Sequence, residues 1–190
     1  MPDSDYTPTK RSLAPQIITI LIAHFVFAFA TFFLMYFFSL FLDEAAAQTV
    51  ASVVSIILFI AMVYVEAWRV GGQDANLVNF GHMEYDKFRG LKAGAYSQIV
   101  GLVLIIAAIV YELTGYPHWI FLSAFKLFYG PFVDIIWLMS QATPFLYFLL
   151  LLVAPCAYHI GYSLGYKGFS IGEKLIYKKK PDREREKKFR

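Results

Sequence analysis

Long apolar runs alternate with shorter polar stretches along this chain, and the lengths of the runs predict helices that cross a membrane. The first run, residues 17–42, contains no charged side chain. A helix of that length would measure roughly 39 Å at about 1.5 Å per residue, which exceeds the hydrocarbon core of a bilayer. Further runs follow at 46–65, 93–113 and 135–161. We therefore predict four transmembrane helices.

Small residues recur within these runs at helical spacing. Ala47, Ala51 and Ser55 stand four residues apart in the second run, and Gly161 and Gly165 form a Gly-x-x-x-Gly pair at the end of the fourth. Helices associate in lipid through close packing, which small side chains permit. The spacing predicts tight helix crossings at both places.

The segment 117–130 is apolar and aromatic but too short to cross a bilayer, and it surrounds a single lysine, Lys126. Aromatic side chains favour the boundary between lipid and water, and a lysine there can reach the headgroups. We predict one interfacial helix at 117–130. A re-entrant half-helix is the alternative.

Composition supports the same class. Of 190 residues, 58% are hydrophobic and 18% are aromatic, which is more than a soluble domain of this size carries. The single cysteine, Cys156, excludes an intramolecular disulfide. We expect an all-α integral membrane protein with four transmembrane helices, one interfacial helix and a cytoplasmic loop.

The distribution of charge predicts the topology. An N-terminal tail (1–15), the polar loop 66–92 and a C-terminal tail (166–190) together hold every Lys and Arg except Lys126, which is 16 of 17. Positively charged residues collect on the cytoplasmic side of membrane proteins. We therefore place both termini and the loop in the cytoplasm, with the four-helix domain (16–165) in the cell membrane.

The loop 66–92 holds most of the interior polar side chains and is the predicted binding site for a protein partner. We expect Gly71 and Gly72 to form turns and Asp74 to cap a short helix that follows them. The candidate site residues are Trp68, Asp74, Asn76, His82, Glu84 and Asp86.

The loop carboxylates invite comparison with membrane enzymes that transfer phospho-alcohols by means of clustered aspartates and two metal ions. Asp74, Glu84 and Asp86 are spaced ten and two residues apart, and residues two apart do not share a helix face. We therefore predict no metal site and no cofactor.

A second candidate is an intramembrane polar cluster near the cytoplasmic end of the helices, since His24 and His159 lie at similar predicted depth. Ionisable residues within spans are costly and often functional. Together with Glu66 and Tyr158, these histidines could form a proton or metal site, or could serve structural hydrogen bonding.

No complete catalytic motif occurs in the chain. We expect a non-enzymatic accessory or scaffold protein that presents its polar loop to a protein partner, while the basic C-terminal tail contacts anionic lipid headgroups. Nucleic-acid binding is not expected, because no aromatic platform accompanies the basic residues. The alternatives are a small transporter or channel, with Gln98 and Gln141 as polar groups along its path, and a metal-dependent lipid-modifying enzyme.

Overall fold

The computed structural model describes residues 11–115 and 119–169, and these residues form seven α-helices and no strand. The helices are α1 (Ala14–Ser39), α2 (Glu44–Asn79), α3 (Arg89–Ser97), α4 (Ile99–Thr114), α5 (Trp119–Phe128), α6 (Val133–Ala142) and α7 (Leu150–Tyr166). The predicted all-α class is confirmed. The basic segment 178–190, predicted to contact lipid, lies outside the described residues.

Within the described part of the chain, three helical segments are long and apolar enough to cross a membrane: α1, α2 and Pro144–Tyr166. Two further pairs qualify together although each is bent, α3 with α4 by 42° and α5 with α6 by 92°. The described residues therefore contain three to five candidate crossings, as in a multi-pass membrane protein.

Two of the predicted spans are interrupted. The third is divided at Gln98, where α3 gives way to α4. The fourth is divided at Thr143, whose extended backbone (φ −166°, ψ 135°) separates α6 from a 3₁₀ turn, Pro144–Leu149. Pro144 causes the second interruption, because a proline disfavours helical geometry in the residue before it.

Helix α2 is longer than predicted, and the loop predicted at 66–92 is largely helical. α2 has 36 residues and ends at Asn79, so the connection to α3 is only residues 80–88. It ends in a Schellman motif, in which Gly81 has φ +74° and the N–H of His82 donates to the carbonyl of Leu77 at 2.8 Å. The expectation of turns at Gly71 and Gly72 was wrong.

Helix α2 continues through Gly71 and Gly72 because a stripe of buried residues runs along this part of the helix. Ala67, Val70, Gly71 and Asp74 are all buried, and they follow the helical spacing i, i+3, i+4, i+7. Asp74 therefore lies inside α2 with its side chain turned inward, and the prediction that it caps a helix was wrong.

Helix α7 packs parallel to α2 at backbone distance. Gly161 lies against Tyr64, and Gly165 lies four residues further along against Trp68. In both places a Cβ atom would collide with the carbonyl oxygen of the α2 residue. Helix α3 crosses the other side of α7 in the antiparallel sense, with Gly90 against Tyr162 and Gly94 against Pro155.

Helices α5 and α6 form a bent hairpin that reaches the middle of α1. At the bend, a Cβ atom on Gly130 would lie 2.9 Å from the Cα atom of Ala28, near the midpoint of the 26-residue α1. Just after the bend, Asp134 accepts a hydrogen bond of 2.5 Å from Gln48 in the first turns of α2. The chain therefore turns back toward the end of the bundle where α2 begins.

Candidate functional site

A buried ionic cluster lies where α2, α3 and α7 meet the start of the described chain. We call it the Asp74 centre, and it consists of Asp74, Arg11, Arg89 and Tyr162. The Asp74 side chain is completely buried. Its Oδ1 accepts a hydrogen bond from Arg11 at 2.9 Å, and its Oδ2 accepts one from the Tyr162 hydroxyl at 3.2 Å. Arg89 adds an ion pair, with Nε 2.8 Å from Oδ2.

Arg89 extends this centre to the backbone that precedes α1. Its two terminal nitrogens donate to the carbonyl oxygens of Arg11 and Ser12 at 2.8 and 3.0 Å. The side chains of Asp74 and Arg89 are buried, whereas that of Arg11 is 38% exposed. Buried charges persist when they are paired, as those of Asp74 and Arg89 are. The Asp74 centre therefore fastens the N-terminal segment to three helices, and both oxygens of its carboxylate are occupied.

The other predicted site residues, His82, Glu84 and Asp86, lie in the connection 80–88. His82 and Glu84 are exposed there. Asp86 accepts a hydrogen bond of 2.7 Å from Lys92, and this bond holds the pKa of its carboxyl below the ordinary value. Among the described residues, no three His, Cys, Asp or Glu side chains are grouped in a way that could hold a metal ion.

On the outer side of the same segment, α2 and the end of α7 form an open cavity of about 590 Å³, which we call the α2–α7 groove. From the predicted site it contains Trp68 and Asn76. Its other polar and aromatic members are not among the predicted site residues; they are Arg69, Gln73, Asn79, Tyr166 and Lys167. The expected short helix after Asp74 includes Asn76 and Asn79 but not Gln73. The spacing of these three residues would have placed them side by side along α2 had the helix been predicted to continue through Gly71 and Gly72.

Hydrogen bonds fix the walls of the groove. The indole Nε1 of Trp68 donates to the carbonyl oxygen of Phe169 at 2.6 Å, which ties the chain three residues after the end of α7 to α2. Arg69 forms a two-point pair with Glu66, with hydrogen bonds of 2.6 and 3.0 Å. Lys167 is exposed at the opposite wall. Because Glu66 offsets Arg69, Lys167 gives the groove a net positive charge.

The fold does not bring together the four residues of the predicted intramembrane cluster. The Nε2 atom of His24 lies 3.1 Å from the amide nitrogen of Gln98, and the Oε1 atom of Gln98 accepts a hydrogen bond of 3.0 Å from Tyr129. Glu66 instead pairs with Arg69, although it lines a small pocket together with Tyr158. His159 is half-buried on α7. The sequence analysis did not identify Gln98 and Tyr129 as the partners of His24.

The His24 ring is packed among aromatic side chains of the core. The ring stacks on Phe128 at 4.4 Å between centroids and tilts against Phe59 at 4.7 Å. His24 and Gln98 therefore connect α1 with the α3–α4 junction and with the end of α5 within the core. The Gln98 amide is hydrogen-bonded to neighbouring side chains and does not line an open transport path.

Comparison of the chain with protein-family models, with curated proteins and with solved structures found no match. Its function is therefore inferred from the site geometry. The Asp74 centre is internal and satisfied, whereas the α2–α7 groove is open and polar. The groove is the candidate functional site.

Proposed function

We propose that this protein is a non-enzymatic membrane scaffold whose α2–α7 groove binds an acidic peptide segment of a cytoplasmic partner protein. The observation that carries the proposal is the groove itself, an open polar cavity of about 590 Å³ on a rigid pair of helices. This volume is comparable with that of small-molecule pockets in proteins, which is roughly 300–1,000 Å³. The adjacent carboxylate, Asp74, is committed to structural contacts.

The proposed topology has four crossings, made by α1, α2, the α3–α4 pair and Pro144–Tyr166, with α5 and α6 as a re-entrant hairpin. The hydrogen bond between Gln48 and Asp134 supports it, because it returns the hairpin to the end of the bundle where α2 begins. The Tyr147 hydroxyl donates to Glu112 at 2.6 Å, which places the start of the last crossing beside the end of α4. This topology puts the groove and both termini in the cytoplasm, on the side rich in Lys and Arg.

Accessibility to a membrane-impermeant maleimide tests the topology. In a chain whose Cys156 is replaced by serine, we expect Gln73→Cys to be labelled only after intact cells are permeabilised. Thr114→Cys, at the exposed end of α4, should be labelled in intact cells and serves as the matched control. Labelling of both positions from the same side would contradict the proposed crossings.

The chemistry of the groove suits a peptide backbone. Gln73, Asn76 and Asn79 present carboxamides along one face of α2, about 4.5 Å apart along the helix axis. Each carboxamide can both donate and accept a hydrogen bond, as the amide groups of an extended peptide do. Lys167 at the facing wall adds attraction for an acidic side chain. Trp68 of α2 and Tyr166 of α7 supply aromatic surface to the groove.

Site-specific photo-crosslinking tests this binding. We expect a photoreactive phenylalanine at Asn76 to form a covalent adduct with a protein in intact cells, and the adduct to contain an acidic peptide. The additional change Lys167→Glu should reduce the yield roughly fivefold, since one charge contact is worth about 1 kcal/mol. A photoreactive residue at Glu84, which is also exposed but lies outside the groove, is the control.

Three results would contradict the proposal: equal adducts at Asn76 and Glu84, adducts at Asn76 that contain only lipid, or a yield that Lys167→Glu does not change. The crosslinker is placed in the folded full-length chain. Each result compares the yield or the chemical class of the adduct, so none of them requires the partner to be identified.

A further inference from the structure

A second cavity lies at the other end of the bundle, between α1, the beginning of α2 and the bent hairpin. Its volume is about 360 Å³, within the range of ligand sites. Its walls include Thr31, Met35, Gln48, Ser123, Lys126 and Gly130. Most of its surface is apolar, and Lys126 is the only charged side chain among its lining residues.

The cavity extends along α1 toward the middle of the bundle, which makes a lysine in its lining unusual. Thr31 and Met35 precede the end of α1 at Ser39 by eight and four residues, or roughly 12 and 6 Å along the axis. Lys126 lines the same cavity, and its side chain is exposed at the surface of the folded chain. Charged residues in or beside membrane-spanning segments usually have a partner or a function. No carboxylate oxygen lies within 4.0 Å of the Lys126 ammonium in the part of the chain that the structure describes.

The bend in the hairpin gives a second indication of a ligand. Helix α5 ends at Phe128 and α6 leaves at 92°, so the cavity wall contains the break itself, at Gly130. In membrane proteins, irregular backbone at this depth is tolerated where it is buried in protein or lines a cavity, and broken helices commonly form binding sites.

We propose that this cavity binds one acyl chain of an anionic phospholipid, whose phosphate group pairs with Lys126. The apolar walls contact the acyl chain. The phosphate of the headgroup supplies the counter-charge for the Lys126 ammonium, which pairs with no carboxylate among the described residues. Gln48 lies at the mouth but its amide already donates to Asp134. The Asp134 carboxylate is beyond ion-pair distance of Lys126, so it does not neutralise the lysine in this arrangement.

The test uses the full-length protein in mild detergent and measures lipid binding by native mass spectrometry. We expect phosphatidylglycerol to be retained more strongly than phosphatidylcholine. Lys126→Gln should weaken retention of phosphatidylglycerol about fivefold, corresponding to roughly 1 kcal/mol for one lysine near a headgroup, and leave phosphatidylcholine unchanged. Ser123→Phe, which fills the cavity from an exposed position, should weaken both lipids.

Lys87→Gln is the matched control, because Lys87 is an exposed lysine in the connection 80–88, remote from the cavity. Oleate is added as the anionic single-chain competitor. The proposal is overturned if Lys126→Gln retains phosphatidylglycerol as the unmodified chain does, if Lys87→Gln loses as much, or if oleate displaces phosphatidylglycerol at equal concentration.

Discussion

Replacement of Asp74 by asparagine should destabilise the protein by about 3–5 kcal/mol, which is the usual result of removing one partner from a buried ion pair. Arg89, which is only 7% exposed, would keep its charge without a counter-ion. The asparagine fits the same space, so the loss would be electrostatic rather than steric. The measurement is the free energy of unfolding of the purified protein in mild detergent, by titration with a denaturing detergent.

The matched control is Asp86→Asn, which removes a carboxylate from an exposed pair with Lys92. Pairs of this kind contribute about 1 kcal/mol at most. The lowered pKa of Asp86 means that its contribution is present above the pKa of the unfolded chain and is lost as the pH falls through the folded value. If Asp74→Asn destabilised the protein no more than Asp86→Asn, the Asp74 centre would not be what holds the N-terminal segment to the bundle.

The second large effect is expected from Gly165→Ala. A Cβ atom at this position would collide with the carbonyl oxygen of Trp68, and backbone on a packed helix cannot move aside as a flexible side chain can. Forcing one extra methyl group into a packed contact costs about 1–3 kcal/mol. The unfolding titration described for Asp74 measures the loss. We also expect lower crosslinking at Asn76, because separation of α2 from α7 would widen the groove.

Gly72→Ala is the control for this substitution, since Gly72 lies in α2 on the same interface. A Cβ atom there would lie 3.8 Å from the carbonyl oxygen of Gly165, which is an ordinary contact. Alanine is the better helix former by about 0.8–1 kcal/mol, so this variant should be neutral or more stable. Equal destabilisation by both variants would show that the cost at Gly165 does not arise from close approach of α7.

The inner and outer faces of one segment of α2 have different roles. Val70, Gly71 and Asp74 face the core, while Gln73 and Asn76 face the groove. Helical periodicity makes this separation possible, because positions three and four residues apart share a face. The buried face packs α2 against α7, and the exposed face presents the polar side chains on which the proposed binding depends.

The sequence by itself determined the class of this protein. The apolar runs are long enough to predict a multi-pass, all-helical membrane protein, and that prediction is confirmed. It also pointed to the segment around Asp74 and Asn76, because polar residues among apolar runs stand out. It did not reveal that this segment is helical, since Gly71 and Gly72 resemble a turn until the backbone of α7 is known to approach there.

Only the tertiary structure decided which side chains meet. Asp74 finds its partners 63 residues before it, at Arg11, and 88 residues after it, at Tyr162. His24 is joined to Gln98 rather than to His159, which similar depth along two helices had suggested. Spacing within one helix predicts which residues share a face, but the rotation of separate helices about their axes is set by packing. The same limit hid the α2–α7 groove, where Lys167 from the end of α7 and Asn76 from α2 line one cavity.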